Sequence, residues 1–344
     1  MQQQKHLRRS KHALFGFILL TIAASPSFAR EQIRIVGSST VYPFITVAAE
    51  QFGRGTKFKT PIVESIGTGG GFKMFCSGVD EKTPDINNAS RAITGSEIKT
   101  CAKHGVTDIT EIPIGYDGIV IAAGKKAKTF NISRTQLFLA LGKKIPKDGK
   151  LIDNPHKYWS DVDPALPKQP ITVYGPPPTS GTRDAFVEIG LEAACKDLPE
   201  FEAAYPDKKE RAKKCHLMRE DGAFVEAGED DNIIIRKLEL NPDALGILGY
   251  SFVEENAGLV HPIPVDGIMP SFDNISEGKY KLSRALYIYV KNAHFDKIPG
   301  LREFVREVTL EGAMGPDGYM PRQGLIPLPA AEREKLRERI SSLK

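Results

Sequence analysis

The sequence predicts an α/β protein whose two lobes are joined by two crossing β strands. Short β-rich segments alternate with amphipathic helical segments, which is typical of mainly parallel sheets covered by helices. Two longer β-rich runs, 109–124 and 282–291, divide the chain into an early, a middle and a late part. We predict that residues 30–115 and 282–344 form one lobe and residues 116–281 the other. Two lobes in simple succession also agree with the periodicity.

The early part predicts strands and helices in alternation. "QIRIVGSS" (32–39) alternates and is rich in Ile and Val, so it predicts a strand, whereas "TVYPFITVAAEQFGRG" (40–55) has helical spacing and a terminal glycine. "TPIVESIGTGGG" (60–71) predicts a second strand that ends in glycines, and "FKMFCSGV" (72–79) a short helix. Each strand is therefore expected to end where a helix begins.

The rest of the chain has two long strands and a mixed part between them. "TDITEIPIGYDGIVIAAGKK" (107–126) and "SRALYIYVKN" (283–292) are rich in β-branched and aromatic residues, so both predict strands. Polar helices and proline-rich loops separate them. "PAAEREKLRERISSLK" (329–344) predicts a surface helix with a charged face.

Residues 1–29 have the pattern of a secretory signal peptide. A basic stretch (1–12) precedes an apolar stretch (13–24) and small residues that predict cleavage near Ala29. The apolar stretch is short for a membrane span, and no cysteine follows it as a lipid attachment site would require. We predict export to the periplasm; an uncleaved anchor is the alternative.

Export changes the charge balance. Lys5, Arg8, Arg9 and Lys11 are the only charged residues before Arg30. Without these four, 43 of the 47 basic residues remain, which equals the 43 acidic residues. A neutral mature protein gives no reason to expect nucleic acid or a membrane surface as a partner.

The chain has four cysteines, and an even number in an exported protein indicates disulfides. Of the three pairings, we predict the two local ones, Cys76 with Cys101 and Cys195 with Cys215. Each closes a loop of about 20 to 26 residues, worth about 3 kcal/mol. A zinc site is the alternative, but the CxxC and HxxxH spacings are absent, so no metal is predicted.

Three segments rich in glycine and hydroxyl groups lie at predicted strand-to-helix junctions. We call "GSST" (37–40), "GTGGG" (67–71) and "TSGT" (179–182) the first, second and third corners. A helix N terminus presents free backbone N–H groups and the positive end of the helix dipole, so three together would hold an oxyanion. An ordinary N-cap is the structural alternative for each corner. The second corner matches neither nucleotide-binding glycine motif.

Two arginines and one aspartate are further candidates for this site. Arg91 in "ASRAI" follows a predicted strand, and Arg183 adjoins the third corner. A guanidinium suits a tetrahedral oxyanion because its N–H groups form a planar fork. Asp117 in "GYDG" is a candidate acceptor for a ligand proton. A surface arginine and a turn aspartate are the alternatives.

Seven segments, in this order, resemble the periplasmic phosphate-binding component of bacterial phosphate ABC transporters, and the similarity spans essentially the whole mature chain. They are "IRIVGSSTVYPF", "GTGGGFKMFCSG", "DINNASRAI", "GYDGIVIAA", "YGPPPTSGTRDAFVE", "EDDNIIIRKLELNPDALGILGYSF" and "LSRALYIYV". The family implies a type II periplasmic-binding-protein fold, in which two crossover strands join two α/β lobes and the ligand lies in the cleft between them.

The resemblance implies phosphate contacts on all three corners. The implied contacts are Ser39, Thr40, the backbone at Val41, Thr68, Gly69, Gly70, Ser180, Gly181 and Thr182. Well-known members carry an aspartate where Arg91 stands and an arginine where Pro176 stands. We infer that Arg91, with Arg183, supplies the positive charge instead, and that Asp117 accepts the phosphate proton.

The resemblance implies a carrier that captures inorganic phosphate and delivers it to the permease of an ABC transporter. A carrier for sulphate, molybdate or tungstate, or a phosphate sensor, is an alternative on the same fold. A secreted phosphatase that uses Ser180 is the enzymatic alternative, but no histidine after residue 29 lies in a triad motif and no G-x-S-x-G segment occurs. We expect no enzymatic activity, no cofactor and a monomer.

Overall fold

The early part of the chain alternates strands and helices, as the sequence predicts. The computed structural model describes residues 30–228 and 230–343, so the predicted signal peptide lies outside the described residues. The elements are β1 (Arg34–Gly37), α1 (Tyr42–Gly55), β2 (Ile62–Ser65), α2 (Thr68–Phe75), β3 (Ile86–Ala89) and α3 (Gly95–Lys103). β1 pairs in parallel with both β2 and β3, so the ends of these strands lie at one edge of the sheet.

The middle part follows the first long strand, β4 (Ile109–Gly124). It comprises α4 (Arg134–Leu141), β5 (Lys144–Lys147), β6 (Lys150–Asp153), α5 (Trp159–Val162), β7 (Val173–Gly175), α6 (Gly181–Ala185), a π-helix (Phe186–Glu192), α7 (Ala193–Cys195), α8 (Pro199–Ala204), α9 (Lys208–Cys215), β8 (Phe224–Glu226), α10 (Asp231–Leu240), β9 (Leu245–Gly249), α11 (Tyr250–Glu255), β10 (Val260–Pro262) and α12 (Phe272–Ser276). The helices α6 and α7 and the π-helix between them form one continuous helical segment.

The late part begins with the second long strand, β11 (Ser283–Lys291). It continues with a 3-10 helix (Asn292–His294), α13 (Leu301–Val308), α14 (Glu311–Met314), a 3-10 helix (Pro321–Gln323) and α15 (Ala330–Ser341). The predicted C-terminal helix is present, and its Leu336 and Ile340 side chains are buried.

One curled sheet runs through both halves of the molecule. Its strand order is β2-β1-β3-β11-β4-β9-β7-β8, and β10 pairs with β4. β4 pairs with β11 over residues 109–118 and with β9 over residues 119–123, so a single strand belongs to both halves. The predicted α/β fold with crossing strands is confirmed.

Apolar side chains form two large clusters on either side of the crossing strands. One cluster is built from the early and late parts of the chain, and the other from the middle part together with Leu282 and Ile326. We propose on this basis that 30–115 with 282–344 is one lobe and 116–281 the other. Leu282 lies at the boundary of the two ranges, whereas Ile326 comes from the C-terminal segment, and its backbone pairs with Tyr116 of β4.

Helix α2 begins four residues earlier than the predicted helix 72–79, so glycines of the second corner lie inside it. Glycine is a poor helix former, which is why the sequence pattern misplaced this start. A Cβ atom on Gly71 would lie 1.9 Å from Asn87 Oδ1 and 2.7 Å from Gly37 Cα. Gly71 therefore allows the first turn of α2 to pack directly against the ends of β1 and β3.

Both predicted disulfides are confirmed, and each fixes a helix that follows a corner. Cys76–Cys101 joins the end of α2 to α3. Cys195–Cys215 joins α7 to α9. The helices behind the second and third corners are therefore covalently held.

We predict that Gly71→Ala lowers the free energy of unfolding by about 1–3 kcal/mol, because the added methyl group overlaps Asn87 and the backbone of Gly37. Urea unfolding followed by circular dichroism measures the change. Gly70→Ala is the matched control, since its nearest neighbour would be 3.8 Å away, and a helical alanine there is expected to be neutral or slightly stabilising. Equal unfolding midpoints for the two variants would contradict this role of Gly71.

Candidate functional site

A cavity of about 590 Å³ lies where the first two corners meet the crossing strand β11. Its walls come from residues 38–40, 67–69 and 90–92, from the π-helix, and from residues 284–287 of β11. We call it the central cavity. The parallel strands β1, β2 and β3 all end at this edge of the sheet, which explains why two corners distant in sequence share one cavity.

The first corner holds its side chains with contacts to other elements. The Ser39 hydroxyl donates to Asp184 of α6 at 2.9 Å. Thr40 Oγ1 accepts a hydrogen bond from Arg284 Nη2, also at 2.9 Å. Val41 is fully buried, and its backbone N–H reaches the Ser38 hydroxyl at 3.4 Å. Ser39 and Thr40 therefore link the first corner to α6 and to β11.

The second corner opens α2 toward the central cavity. Gly67 has a φ of 77°, which favours glycine, and Thr68 starts the helix. The Thr68 hydroxyl contacts the Ser90 hydroxyl at 3.1 Å and accepts the Ser90 N–H at the same distance. Gly69 and Gly70 are exposed in the first turn, where backbone N–H groups have no partner within a helix.

The third corner adjoins the first corner and does not itself line the central cavity. Ser180 precedes α6, and its N–H bonds to the Pro177 carbonyl at 3.0 Å, so the proline-rich turn closes before the helix starts. A Cβ atom on Gly181 would lie only 3.5 Å from Thr40 Cα. Thr182 follows in the first turn of α6. The three predicted corners are therefore brought together.

Arg91 lies on the wall of the central cavity and is partly exposed. Its side chain is 44% exposed, and its guanidinium forms two hydrogen bonds, of 2.8 and 2.9 Å, with Glu97. The bond to Glu97 raises the pKa of Arg91 above its ordinary value. An anion in the cavity would share this arginine with an existing carboxylate partner.

Arg183 points away from the central cavity. It is 9% exposed, its guanidinium lies 4.4 Å from the Phe224 ring centre, and it donates to the Pro176 carbonyl at 3.3 Å. Burial lowers the pKa of Arg183. It lines a second cavity of about 760 Å³ on the other side of α6. Its contacts support the proline turn before the third corner.

Asp117 lies behind the wall of the central cavity. Its Oδ2 atom is 3.5 Å from Arg284 Nε, a distance and geometry that make an ion pair without a hydrogen bond. Burial raises the pKa of the Asp117 carboxyl, and the nearby Arg284 opposes this rise. Asp117 therefore contacts the site through Arg284.

Arg284 is the central residue that the sequence reasoning missed. It is 12% exposed, lines the central cavity, and contacts Thr40, Asp117 and Glu188 of the π-helix. One signal was present in the sequence: "SRALYIYV" carries a lone arginine inside an apolar strand that was predicted to cross between the lobes. A charged side chain inside an apolar strand reaches water only where that strand borders a cleft, so its presence indicates a cleft.

Other classes of site receive no support from the described residues. Within 30–228 and 230–343, no group of three or more His, Cys, Asp or Glu side chains could hold a metal ion. No helix in those same ranges is both long enough and apolar enough to cross a membrane.

The PBP superfamily domain matches residues 23–311 of the chain. The protein SphX of Synechococcus elongatus is 31% identical over 343 residues, which cover 95% of this chain and 89% of that protein. The phosphate-binding protein PstS of Staphylococcus saprophyticus is 29% identical, over 79% of this chain and 74% of that protein.

A solved structure supports the same relationship. The structure of a possible phosphate binding protein from Planctomyces limnophilus superposes with a TM-score of 0.71 and 25% identity, covering 91% of this chain and 98% of that one. The resemblance predicted from the strand-end motifs is confirmed, and the chain belongs to the PBP superfamily.

Proposed function

We propose that the exported protein captures inorganic phosphate outside the cytoplasm and delivers it to the permease of an ABC transporter. The observation that carries this proposal is the meeting of the first two corners at one cavity whose wall also carries Arg91 and Arg284, with the third corner packed beside the first. Relatives named for phosphate binding support the choice of anion.

The chemistry of the central cavity suits a small oxyanion. The first turn of α2, where backbone N–H groups have no partner within the helix, lies on the cavity wall, and the hydroxyl-bearing residues Ser39, Thr40 and Thr68 line the same wall. Arg91 and Arg284 each already contact a carboxylate, Glu97 and Glu188. The cavity therefore carries little net charge, and neutral hydrogen-bond donors supply much of the binding free energy.

We assign ligand contacts by the placement of each candidate. The proposed contacts on the cavity wall are Ser39, Thr40, Thr68, Gly69, Arg91 and Arg284. Gly70, Ser180, Gly181 and Thr182 lie next to that wall and are proposed to contact the anion after the cavity narrows. The Val41 amide is buried and donates to Ser38, so it is not proposed as a contact. Arg183 is proposed as a positioning residue for the third corner, because its contacts are with Pro176 and Phe224. Asp117 is proposed to orient Arg284 and, through it, to influence which protonation state of the ligand binds.

The volume of the central cavity implies movement on binding. Cavities of 300–1,000 Å³ hold drug-sized ligands, so one oxyanion fills only part of 590 Å³. Tight binding therefore requires the walls of the central cavity to approach each other. Exclusion of water would then strengthen every hydrogen bond to the anion.

The alternatives follow from the same site. Sulphate, molybdate and tungstate offer similar oxygens, and sensing requires the same capture step. Phosphatase chemistry at Ser180 needs a general base, and among the described residues no histidine is hydrogen bonded to Ser180. We therefore propose a binding protein without catalytic activity, acting as a monomer in the periplasm after removal of residues 1–29.

We predict that the mature protein binds phosphate with a dissociation constant on the order of 1 μM, equivalent to about 8 kcal/mol. Isothermal titration calorimetry measures this directly, and competition with sulphate and molybdate identifies the preferred anion. Heat released by sulphate alone would overturn the assignment of phosphate.

Thr68→Val is expected to weaken phosphate binding about tenfold by removing a hydroxyl from the cavity wall. Thr100→Val is the matched control, since the Thr100 hydroxyl donates to the Ser96 carbonyl on an exposed turn of α3.

A second prediction distinguishes the roles of Arg91 and Arg183, which the sequence analysis assigned to the same anion site. Arg91→Met removes a cation from the wall of the central cavity and is expected to weaken phosphate binding about tenfold, with a smaller dependence on salt. Arg183→Met removes a cation outside that cavity, so its effect on affinity should be smaller and its salt dependence near that of the original protein. Calorimetry at two salt concentrations compares them; a larger loss for Arg183→Met would show that the assignment is reversed.

A further inference from the structure

The Arg284 guanidinium is contacted on three sides. Nη2 donates to Thr40 of the first corner at 2.9 Å, Nη1 is paired with the Glu188 carboxylate, and Nε lies 3.5 Å from Asp117. Arg284 is also on the wall of the central cavity. Its two terminal nitrogens, which form the fork that binds an oxyanion side-on, are therefore both engaged by the protein itself.

Glu188 differs from the other two partners because it is free to leave. Its side chain is 47% exposed and lines the central cavity, whereas the Asp117 side chain is only 16% exposed and does not line that cavity. Because the Glu188 carboxylate is nearly half exposed, water can solvate it when it moves away from Arg284, and Asp117 remains beside the less exposed arginine. The Glu188 side chain can therefore exchange with another anion at Arg284.

The helix that carries Glu188 is held in place. Phe186, Val187 and Leu191 of the π-helix are buried in the middle cluster, and a Cβ atom on Gly190 would lie 3.3 Å from Leu282. The segment ends at Cys195, which is bonded to Cys215. The Glu188 backbone is thus fixed while its side chain is exposed, which keeps the carboxylate at high local concentration beside Arg284.

We propose that Glu188 is an internal competitor for Arg284, a tethered carboxylate that the incoming anion must displace to gain the guanidinium. The inference rests on the proposed function and deepens it. When Glu188 leaves, Asp117 still compensates the charge of Arg284, so the arginine is never left alone in the cleft. A doubly charged oxyanion competes better than a monoanion for the same cation, so Glu188 favours phosphate dianion over chloride or a simple carboxylate.

Calorimetric titration of the mature protein and its variants with inorganic phosphate tests this inference. Glu188→Gln is expected to bind phosphate about three- to tenfold more tightly, because a neutral amide competes weakly for Arg284. Glu188→Asp keeps the negative charge but shortens the side chain, so it should also bind more tightly, by about twofold or more. Titration with acetate is expected to give measurable binding only in Glu188→Gln.

Glu192→Gln is the matched control, since Glu192 lines the same cavity but pairs with His216 at 2.7 Å. Its effect should stay within about twofold. In an Arg284→Gln background the gain from Glu188→Gln should disappear; if that background does not fold, the three single variants still decide. The inference would be overturned if Glu188→Gln and Glu192→Gln gained phosphate affinity equally and Glu188→Asp bound phosphate like the original protein. That result would indicate general repulsion between cavity carboxylates and the anion, without competition for Arg284. Absence of phosphate binding by the original protein would instead overturn the proposed function, and this inference with it.

Discussion

The site depends on parallel strands that stop at the same edge of a sheet and continue directly into helices. This arrangement brings the first corner, which precedes α1, and the start of α2 to one cavity, although β2 separates them in sequence. Close packing at Gly71 lets the start of α2 approach the ends of β1 and β3, where a side chain would keep them apart. In the proposed binding mode, the geometry of the backbone contributes more than any single charged group to the placement of the anion.

Electrostatic balance explains how two arginines can face one cavity without destabilising the fold. Arg91 is held by Glu97, and Arg284 by Glu188 and Asp117. Each pair limits the cost of placing a cation in a partly desolvated cleft. The same pairing lowers the attraction for any passing anion, so in the proposed site we expect selectivity to depend on many hydrogen-bond donors acting together.

Local patterns in the sequence were sufficient for the crossing strands, the disulfides and the three corners. They failed where the outcome depends on contacts between distant segments. The first turn of α2 accommodates Gly71 against Asn87 and Gly37, where no larger residue would fit, and Arg183 turns away because Phe224 and the Pro176 carbonyl receive it. Arg284 meets Thr40 from a position 244 residues away, which no local periodicity encodes.

The pairing of Ile326 with Tyr116 adds a third connection at the point where β4 passes from one half of the sheet to the other. Ile326 packs with the apolar residues of the middle part although it belongs to the C-terminal segment. If phosphate binding closes the central cavity as proposed, a rotation between the halves would twist this bridge as well as the two long strands. The C-terminal segment would then restrain the hinge angle, although it lies outside the proposed binding site.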